Sequence, residues 1–299
     1  VLALKVAKMP EHLGEIHMKL LRYGPSGQEK PGLIDEQGRI RDLSGIIPDV
    51  DPAALAPDRL AQLAKHDINS LPLVEGTQRL GAPVTGVGKI LGIGLNYADH
   101  VAETGADMPT EPLVFTKAVN CLSGPGDPIT IPKESTCTDH EVELAFVIGT
   151  RAQYVEEKNA LDYVAGYAVM NDVSEREYQK SRGGQWIKGK SFDGFGPLGP
   201  WLVTADEVPD PQNLNMWCDI DGERRQNSNT SQMIFGVATL IADLSQYMTL
   251  LPGDVITTGT PPGVGLGQTP PLYLKPGEVV ELGIEGLGQQ RHDMVAWRS

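Results

Sequence analysis

The sequence predicts a mainly β protein of the α+β class, in which a small N-terminal α/β domain precedes a larger, strand-rich domain. Strand-like runs outnumber helical ones beyond residue 89, and 34 glycines with 23 prolines supply the turns that many short strands require. Between the two parts, Gly81-Ala-Pro-Val-Thr-Gly-Val-Gly88 carries no charge and is punctuated by Gly and Pro, which is typical of a linker. We therefore divide the chain into 1–17, 18–85 and 86–299.

The first 17 residues are expected to be leader or upstream sequence. They carry Lys and Glu side chains and lack the apolar segment and the small-residue cleavage site of a signal peptide, so they enter no argument about the fold. From residue 18 to 85, short runs with strand composition come first, and a segment rich in Ala and Leu follows them. The expected strands are 19–23, 31–34 and 40–43, and the expected helix is 53–65.

In the larger domain, apolar and β-branched runs predict strands, whereas a helical period is credible in two places only. Turns at Gly and Pro separate these runs, as in a domain built mostly from sheets. The expected strands are 89–94, 141–148, 163–170, 217–220, 255–258 and 279–284, and the expected helices are 171–182 and 236–248.

Composition and charge exclude several classes of protein. The balance of 25 Lys and Arg against 39 Asp and Glu gives a net charge of −14, which disfavours binding to nucleic acid and to anionic membranes. No apolar run reaches the ~18 to 20 residues of a membrane span. Cys121, Cys137 and Cys218 are far apart and form no C-x-x-C pair, which indicates neither a disulfide framework nor a zinc knuckle. We expect a cytoplasmic protein.

Two glutamates at the start of one predicted strand and an aspartate at the end of the next predict a metal site. Side chains alternate along a strand, so Glu141 and Glu143 share a face and lie about 6 to 7 Å apart along the backbone. Carboxylates held that close raise each other's pKa unless a cation lies between them. With Asp172 as a third ligand, the set suits Mg²⁺, Mn²⁺ or Ca²⁺ better than Zn²⁺. The alternative for the two glutamates alone is the solvated face of an edge strand.

His100 and Glu103 form a second candidate pair. They are three residues apart, so on a helical turn they share a face, and the carboxylate can orient and stabilise the imidazole. That arrangement is typical of a general base. The plain alternative is a pair of surface residues.

Four further polar side chains are candidates for contacts around an anion. Lys117 and Lys190 lie among apolar residues, where an ammonium group is costly unless it faces an anion or extends to the surface. Arg176 and Gln179 recur on the face of Asp172 if 171–182 is helical, where they would grip a carboxylate beside the metal.

The segment from Gly184 to Ser191 matches the phosphate-loop pattern G-x-x-x-x-G-K-S, but its context does not. A phosphate loop follows a buried strand and opens a helix, so that the helix amides meet the anion. The residues before Gly184 are charged and helix-like, and those after Ser191 are too rich in Gly and Pro for a helix. We therefore expect no nucleotide site at this segment.

Seven motifs occur in order over roughly 89–297. They are Gly94-Leu-Asn-Tyr-Ala-Asp-His100, Phe115-Thr-Lys117, Asp139-His-Glu-Val-Glu-Leu144, Gly166-Tyr-Ala-Val-Met-Asn-Asp172, Lys190-Ser-Phe-Asp193, Asn229-Thr-Ser-Gln-Met-Ile-Phe235, and Leu251-Pro-Gly-Asp254 with Thr258-Gly-Thr-Pro261. Taken in order, these motifs resemble the fumarylacetoacetate hydrolase family, and their order is more specific than any one of them. The small preceding domain is similar to the bacterial branch that contains acylpyruvate hydrolases, diketo sugar acid hydrolases and proteins called ureidoglycolate lyase.

The resemblance implies a β-roll or distorted barrel as the catalytic core, within a homodimer. It also implies that the dyad at His100 activates water on a mobile lid segment, while Lys117 falls near the site. The implied metal ligands are Glu141, Glu143 and Asp172, the implied catalytic residues are His100, Glu103 and Lys190, and the implied substrate contacts are Arg176, Gln179, Thr260 and Lys117.

The leading functional hypothesis is hydrolysis of a C–C bond in a 2,4-diketo acid, with Mg²⁺ as cofactor or Mn²⁺ or Ca²⁺ in its place. The metal would chelate the 1-carboxylate and 2-oxo oxygens, Lys190 would stabilise the pyruvate enolate, and His100 would activate the water that attacks the 4-carbonyl. The branch resemblance favours a 2,4-diketo-3-deoxy sugar acid of the rhamnonate or fuconate type. Two alternatives stay open: a lyase or decarboxylase for ureidoglycolate or oxaloacetate, and a non-catalytic module that binds a metal or a sugar acid.

Overall fold

The computed structural model describes residues 18–104 and 107–298, with the side chains of 102–104 left out of the description. The predicted leader, 1–17, lies outside the described residues. In the described part, the strands are β1 (Lys19–Tyr23), β2 (Lys30–Ile34), β3 (Ile40–Asp42), β4 (Ile90–Gly94), β5 (Leu113–Lys117), β6 (Leu122–Ser123), β7 (Ile129–Ile131), β8 (Thr138–Asp139), β9 (Val142–Ile148), β10 (Val164–Asn171), β11 (Ser174–Glu175), β12 (Gly196–Thr204), β13 (Asn215–Ile220), β14 (Glu223–Asn229), β15 (Val255–Thr257), β16 (Val279–Ile284) and β17 (Gly288–Ala296).

Helices are short and few by comparison, so the mainly β prediction is confirmed. No helix within 18–104 and 107–298 combines the length and apolar character that crossing a membrane requires. The α-helices are α1 (Pro57–Leu63), α2 (Ala98–Thr104), α3 (Arg176–Ser181), α4 (Ile187–Lys190) and α5 (Val237–Tyr247), and single 3₁₀ turns or short 3₁₀ helices lie at Ile68–Ser70, Val119–Cys121, Glu157–Tyr163, Ala205–Glu207, Thr230–Gln232 and Gly265–Gly267.

Two sheets form the body of the protein. The larger has the order β3-β2-β1-β12-β10-β9-β15-β4-β5, with β6 joined to β12, and the smaller has the order β14-β13-β16-β17-β7. The sheets pack face to face, since β9 contacts β13 and β16 while β10 and β12 contact β17. The strands at the centre of the larger sheet, β9 and β10, are buried along their whole length and supply much of the apolar core.

The N-terminal strands continue the larger sheet. β1 pairs antiparallel with β12, so that Lys19 lies opposite Val203, and β2 and β3 extend the sheet outward from β1. The expected N-terminal strands are confirmed at 19–23, 30–34 and 40–42. Backbone hydrogen bonds between β1 and β12 therefore join the two predicted parts in one sheet. This pairing does not test the division of the chain at residue 85, which stays a prediction.

Two predicted helices differ from the structure at their beginnings. Helix α1 begins at Pro57 rather than near 53, because proline fits the first helical position and forces the residue before it into an extended conformation. The predicted helix 171–182 is wrong over its first five residues, where β10 ends and β11 pairs with β8. Helix α3 begins at Arg176 because the carboxylate of Glu175 accepts a hydrogen bond from the amide of Tyr178 and caps it.

Candidate active site

Three carboxylates meet where β9 begins and β10 ends. Glu143 is the second residue of β9, Glu141 directly precedes that strand, and Asp172 directly follows β10. The amide of Asp172 donates to the carbonyl of Glu141 at 2.9 Å, which brings the two strand ends together. Carboxylate oxygens of the three residues lie within 4.8 Å of one another, and all three residues are buried. The structure thus brings together the three predicted metal ligands.

The face that carries these carboxylates is an interior face. β9 lies between β10 and β15 in the middle of the larger sheet, and Glu143 is only 1% exposed. The alternative of a solvated edge strand is therefore wrong. A buried carboxylate needs a partner, because removing a charge from water costs far more than a single hydrogen bond returns.

Two buried lysines supply part of that partnership. The Nζ atom of Lys190 lies 2.6 Å from Oε2 of Glu141 and 2.5 Å from Oδ2 of Asp172, and Nζ of Lys117 lies 2.5 Å from Oδ1 of Asp172. Both lysine side chains are buried, so the alternative that they extend to the surface is wrong for both. Lys190 is also held over the ring of Phe115, at 5.0 Å from its centroid. Because Lys190 faces two carboxylates, its position does not suit a phosphate loop.

Arg176 is the third cation of the site. Its Nη2 lies 2.7 Å from Oε1 of Glu141, its Nε lies 2.8 Å from Oδ2 of Asp139, and its Nη1 donates to Oε1 of Gln179 at 3.1 Å. The prediction placed Arg176 beside Asp172 on one helix, whereas Asp172 precedes helix α3 and its two oxygens are held by lysines. Arg176 and Gln179 nevertheless both lie in the wall of the same pocket.

The buried charges of the site do not balance. Four carboxylates (Asp139, Glu141, Glu143 and Asp172) and three cations (Lys117, Lys190 and Arg176) leave one net negative charge. Burial would raise the pKa of Glu141, but Arg176 and Lys190 lower it to about 2. Burial, with Asp172 and Glu141 nearby, instead raises the pKa of Glu143 well above its usual range. Glu143 makes no ion pair with any described cation. Among the described residues, its Oε2 accepts hydrogen bonds from Thr257 Oγ1 and the amide of Gly259.

This imbalance fits a divalent cation held by Glu141, Glu143 and Asp172. Carboxylate oxygens are the ligands that Mg²⁺, Mn²⁺ and Ca²⁺ prefer, and no described Cys or His belongs to the group. A cation beside Glu143 would remove the repulsion that raises the pKa of this carboxyl group. The donor set therefore suits a hard divalent ion.

Asp139, for which the sequence predicts no role, positions other residues of the site. Its carboxylate is fully buried and, besides Arg176, accepts hydrogen bonds from the amides of Gly265 at 2.7 Å and Leu266 at 2.9 Å. A Cβ atom on Gly265 would lie 2.8 Å from Oδ1 of Asp139 and 2.2 Å from the carbonyl oxygen of Leu272, so only glycine allows this approach. Asp139 thus fixes Arg176 and one loop of the pocket wall together.

Glu141 and Glu143 line a pocket of 530 Å³. Its lining also includes the polar residues Lys190, Arg176 and Gln179 and the apolar residues Ile93, Leu95, Phe115 and Trp186.

The predicted substrate contact Thr260 also lines this pocket. Its hydroxyl donates to the carbonyl of Val142 at 3.0 Å and accepts from Nε2 of Gln226 at 2.8 Å. Gln226 is a second residue that sequence reasoning missed; its Oε1 also accepts from the amide of Val142 at 3.0 Å, so it ties the smaller sheet to the start of β9.

His100 lines the pocket from helix α2 and is buried, with an exposed fraction of 8%. The base of that helix is held by Asn96, whose side chain donates to the carbonyl of Thr258 at 2.8 Å and accepts from the amide of Phe235 at 2.9 Å. Glu103 belongs to the same helix, but its side chain lies outside the described residues, so the predicted dyad stays a prediction.

Comparison with known proteins finds similar sequences and similar folds. The family described as fumarylacetoacetate (FAA) hydrolase C-terminal matches residues 89–295. A protein of Burkholderia orbicola, named provisionally as a hydrolase, is 63% identical over 274 residues, which cover 91% of this chain and 97% of the relative.

Three solved structures share the fold, and each match covers 94% of this chain and 100% of the other. The first is a fumarylacetoacetate hydrolase of Exiguobacterium antarcticum, with 35% identity and a TM-score of 0.84. The second is a maleylpyruvate hydrolase of a Sphingobium species in complex with manganese(II) and pyruvate, with 28% identity and a TM-score of 0.79. The third is a 5-carboxymethyl-2-hydroxymuconate delta-isomerase of Mycobacterium smegmatis, with 31% identity and a TM-score of 0.73.

Proposed function

Because the chain belongs to the fumarylacetoacetate hydrolase family, as the sequence motifs predicted, we propose that it is a metal-dependent hydrolase of a 2,4-diketo acid. The reaction would break the C3–C4 bond and give pyruvate and a carboxylic acid. The observation that carries the proposal is the buried group of Glu141, Glu143 and Asp172, which opens into a pocket also lined by His100 and Lys190. The manganese and pyruvate in the similar maleylpyruvate hydrolase agree with such chemistry.

The residues of the pocket would bind and orient the substrate in the proposed reaction. A divalent cation, Mg²⁺ or Mn²⁺, held by the three carboxylates would supply a Lewis acid for the 1-carboxylate and 2-oxo oxygens of the substrate. The guanidinium of Arg176 and the amide of Gln179, both in the pocket wall, would orient the carboxylate end. Lys190 keeps a positive charge in the wall, since Asp172 and Glu141 raise its pKa despite burial.

His100 is the candidate general base. It would take a proton from water as the water oxygen bonds to C4, the C3–C4 bond would break, and its electron pair would pass to C3 and the 2-oxo oxygen as an enolate. Lys190 would stabilise that developing negative charge, and protonation at C3 would complete pyruvate. The acyl part would leave as a carboxylic acid that carries one oxygen atom from water.

An isomerase is the second candidate, because one of the similar structures is a 5-carboxymethyl-2-hydroxymuconate delta-isomerase. Proton transfer within a hydroxymuconate would use His100 and a cation held by the same three carboxylates, but it would consume no water. The two reactions differ in whether an oxygen atom from water enters the product.

The test is a panel of acylpyruvates, 2,4-diketo-3-deoxy sugar acids, a hydroxymuconate, oxaloacetate and ureidoglycolate, assayed with Mg²⁺, with Mn²⁺ and with excess chelator. We expect turnover of a 2,4-diketo acid that is lost with chelator and restored by either metal. In water enriched in oxygen-18, one heavy oxygen should appear in the carboxylic acid product. Full activity after chelation, with no metal bound by elemental analysis, would contradict the metal role, and isomerised product without heavy oxygen would favour the second candidate.

A further inference from the structure

The hydrogen-bond ladder between β9 and β15 stops before it reaches the carboxylates at the start of β9. The strand pairing ends at Ala145 opposite Thr257. The next backbone hydrogen bond runs from the amide of Thr258 to the carbonyl of Leu144 at 3.0 Å. In a strand, the amide and carbonyl groups of alternate residues point to the same edge. Those of Val142, two residues before Leu144, therefore point to the edge that β15 no longer covers.

Two side chains take the place of a strand at Val142. Its amide donates to Oε1 of Gln226 at 3.0 Å, and its carbonyl accepts from the hydroxyl of Thr260 at 3.0 Å. Nε2 of Gln226 donates to the same hydroxyl at 2.8 Å and to the carbonyl of Pro261 at 2.9 Å. Gln226 and Thr260 thus close a ring of hydrogen bonds on Val142, and we call these two residues the Val142 clasp.

The direction of each hydrogen bond in the Val142 clasp is fixed by the backbone. An amide N–H can only donate, so the atom of Gln226 that faces the amide of Val142 is its oxygen. A carbonyl can only accept, so the atom that faces Pro261 is its nitrogen. The hydroxyl of Thr260 accepts from this nitrogen and gives its one proton to the carbonyl of Val142. Thr260 therefore has no proton left for a substrate carboxylate while these hydrogen bonds hold.

The Val142 clasp holds the one residue that separates two of the three carboxylates. Glu141 and Glu143 flank Val142, so the orientation of its two peptide groups determines where both side chains leave the chain. Gln226 is fully buried and does not line the pocket of the site. It can therefore influence the site only through the groups that it holds, which are the backbone of Val142 and the segment that carries Thr260.

We propose that Gln226 is a positioning residue of the metal site, which acts with Thr260 to hold Glu141 and Glu143 at the separation that one divalent cation requires. This inference rests on the metal role in the proposed function. Residues that hold metal ligands in place typically contribute about 10- to 100-fold to metal affinity. Thr260, which the motif resemblance implies as a substrate contact, becomes part of the support of the metal ligands.

The experiment measures affinity for Mn²⁺ by calorimetry, which does not depend on any reaction. Gln226→Met keeps the approximate size of the side chain but removes its hydrogen bonds, and should raise the Kd for Mn²⁺ about tenfold or more. Thr260→Val should have the same effect because it removes the hydroxyl, whereas Thr260→Ser should keep the native Kd. Because the two residues act as one unit, the double variant Gln226→Met with Thr260→Val should bind only slightly more weakly than either single variant.

Gln290 provides a matched control. It is buried like Gln226 and also extends from the smaller sheet to the larger one, where its Nε2 donates to the carbonyl of Val169 at 2.8 Å. Gln290→Met should lower the urea midpoint of unfolding by an amount similar to that of Gln226→Met and leave the Kd for Mn²⁺ unchanged. Equal loss of Mn²⁺ affinity in both variants would indicate a general effect of destabilisation and would overturn the inference.

The same measurements distinguish failure of this inference from failure of the proposed reaction. Native Mn²⁺ affinity in Gln226→Met or in Thr260→Val, together with metal-dependent turnover of a 2,4-diketo acid, would contradict only this inference. Weaker Mn²⁺ binding in both variants, without turnover of any diketo acid by the native protein, would contradict only the reaction. If the native protein bound no Mn²⁺, both would fail. If Gln226→Met does not fold, the comparison of Thr260→Val with Thr260→Ser decides.

Discussion

Two clusters of charged side chains in this protein have similar composition but differ in how their carboxylates are paired with cations. The junction cluster consists of Arg22, Arg79, Glu29, Asp49 and Asp127 and joins the N-terminal strands to the segment before β7. The site cluster consists of Asp139, Glu141, Glu143, Asp172, Lys117, Lys190 and Arg176. Each cluster holds one more carboxylate than it holds cations.

In the junction cluster every carboxylate has an arginine partner. Arg79 lies 2.8 Å from Glu29 and 2.6 Å from Asp127, and Arg22 lies 2.7 Å from Asp49. Although burial would raise the pKa of Asp127, Arg79 lowers it below its usual value. No carboxylate of this cluster is left without a cation, and its contacts connect segments that are far apart in the sequence.

In the site cluster the excess charge is concentrated on one residue. Glu143 has no ion-pair partner among the described cations, and its pKa is raised while that of Glu141 is lowered. Clusters whose members have pKa values shifted in opposite directions are typical of functional sites. The number of charges therefore does not distinguish the two clusters, whereas the presence of one unpaired, buried carboxylate beside a pocket does.

The largest expected effect tests whether the site cluster serves a reaction at all. If His100 generates the attacking hydroxide, His100→Ala should lower turnover of the best diketo acid by about 10² to 10⁴-fold. Affinity for Mn²⁺, measured by calorimetry, should hardly change, because His100 is not one of the three carboxylate ligands. Glu103→Gln should give a milder defect of the same kind, since it keeps a hydrogen bond but loses the charge that stabilises the imidazolium.

An unchanged turnover in His100→Ala would remove this histidine from the mechanism. Asp127→Asn serves as the matched control, because it changes a charge in the junction cluster, which lies outside the pocket. That variant should hydrolyse the substrate at the native rate.

The second expected effect concerns one cation from each cluster. Lys190→Met leaves Glu141 and Asp172 with one cation fewer at a buried position, and should lower the free energy of unfolding of the metal-free protein by about 3 to 5 kcal/mol. Arg79 is 31% exposed, so Arg79→Met should cost less, about 1 to 2 kcal/mol. Urea unfolding monitored by fluorescence measures both values.

Added metal sharpens this contrast. Mn²⁺ should recover part of the lost stability of Lys190→Met, because the ion places positive charge beside the same carboxylates, and should recover none of the stability lost in Arg79→Met. Equal recovery in both variants would show that the ion stabilises the protein at a place other than the site cluster.

The sequence could predict the parts of this protein that depend on local pattern. The strand at 141–148 follows from its apolar residues, and the carboxylates that begin it were predicted to act together. Strand β12, Gly196–Thr204, was missed because Gly and Pro interrupt its apolar pattern, although they lie at places where the chain packs closely. Strand β17 was missed because its buried positions include Gln290 and His292, which look like surface residues until their partners are known.

Long-range contacts explain what was missed in the site. Gln226 acts on Val142, 84 residues away, and Asp139 acts on Gly265, 126 residues away. A single sequence shows neither pairing, because each depends on how distant segments pack in the folded chain: Gln226 reaches Val142 from the smaller sheet, and Gly265 reaches Asp139 from a 3₁₀ turn. The motifs named the carboxylates and lysines, whereas the residues that position them became visible only in the fold.

The smallest expected effect compares the unpaired carboxylate with a paired one. Glu143→Gln removes a buried charge that has no cation beside it, so the metal-free variant should be at least as stable as the native protein. Asp127→Asn leaves Arg79 without half of its bidentate partner, at Nε and Nη2, and should lower stability by about 1 kcal/mol. With metal the order should change: at a Mn²⁺ concentration about 100 times its Kd, the native protein and Asp127→Asn should each gain about 2.7 kcal/mol, and Glu143→Gln should gain little. If Glu143→Gln instead lost stability without metal, or gained as much from Mn²⁺ as the native protein, Glu143 would be a structural carboxylate like Asp127, and the distinction between the two clusters would fail.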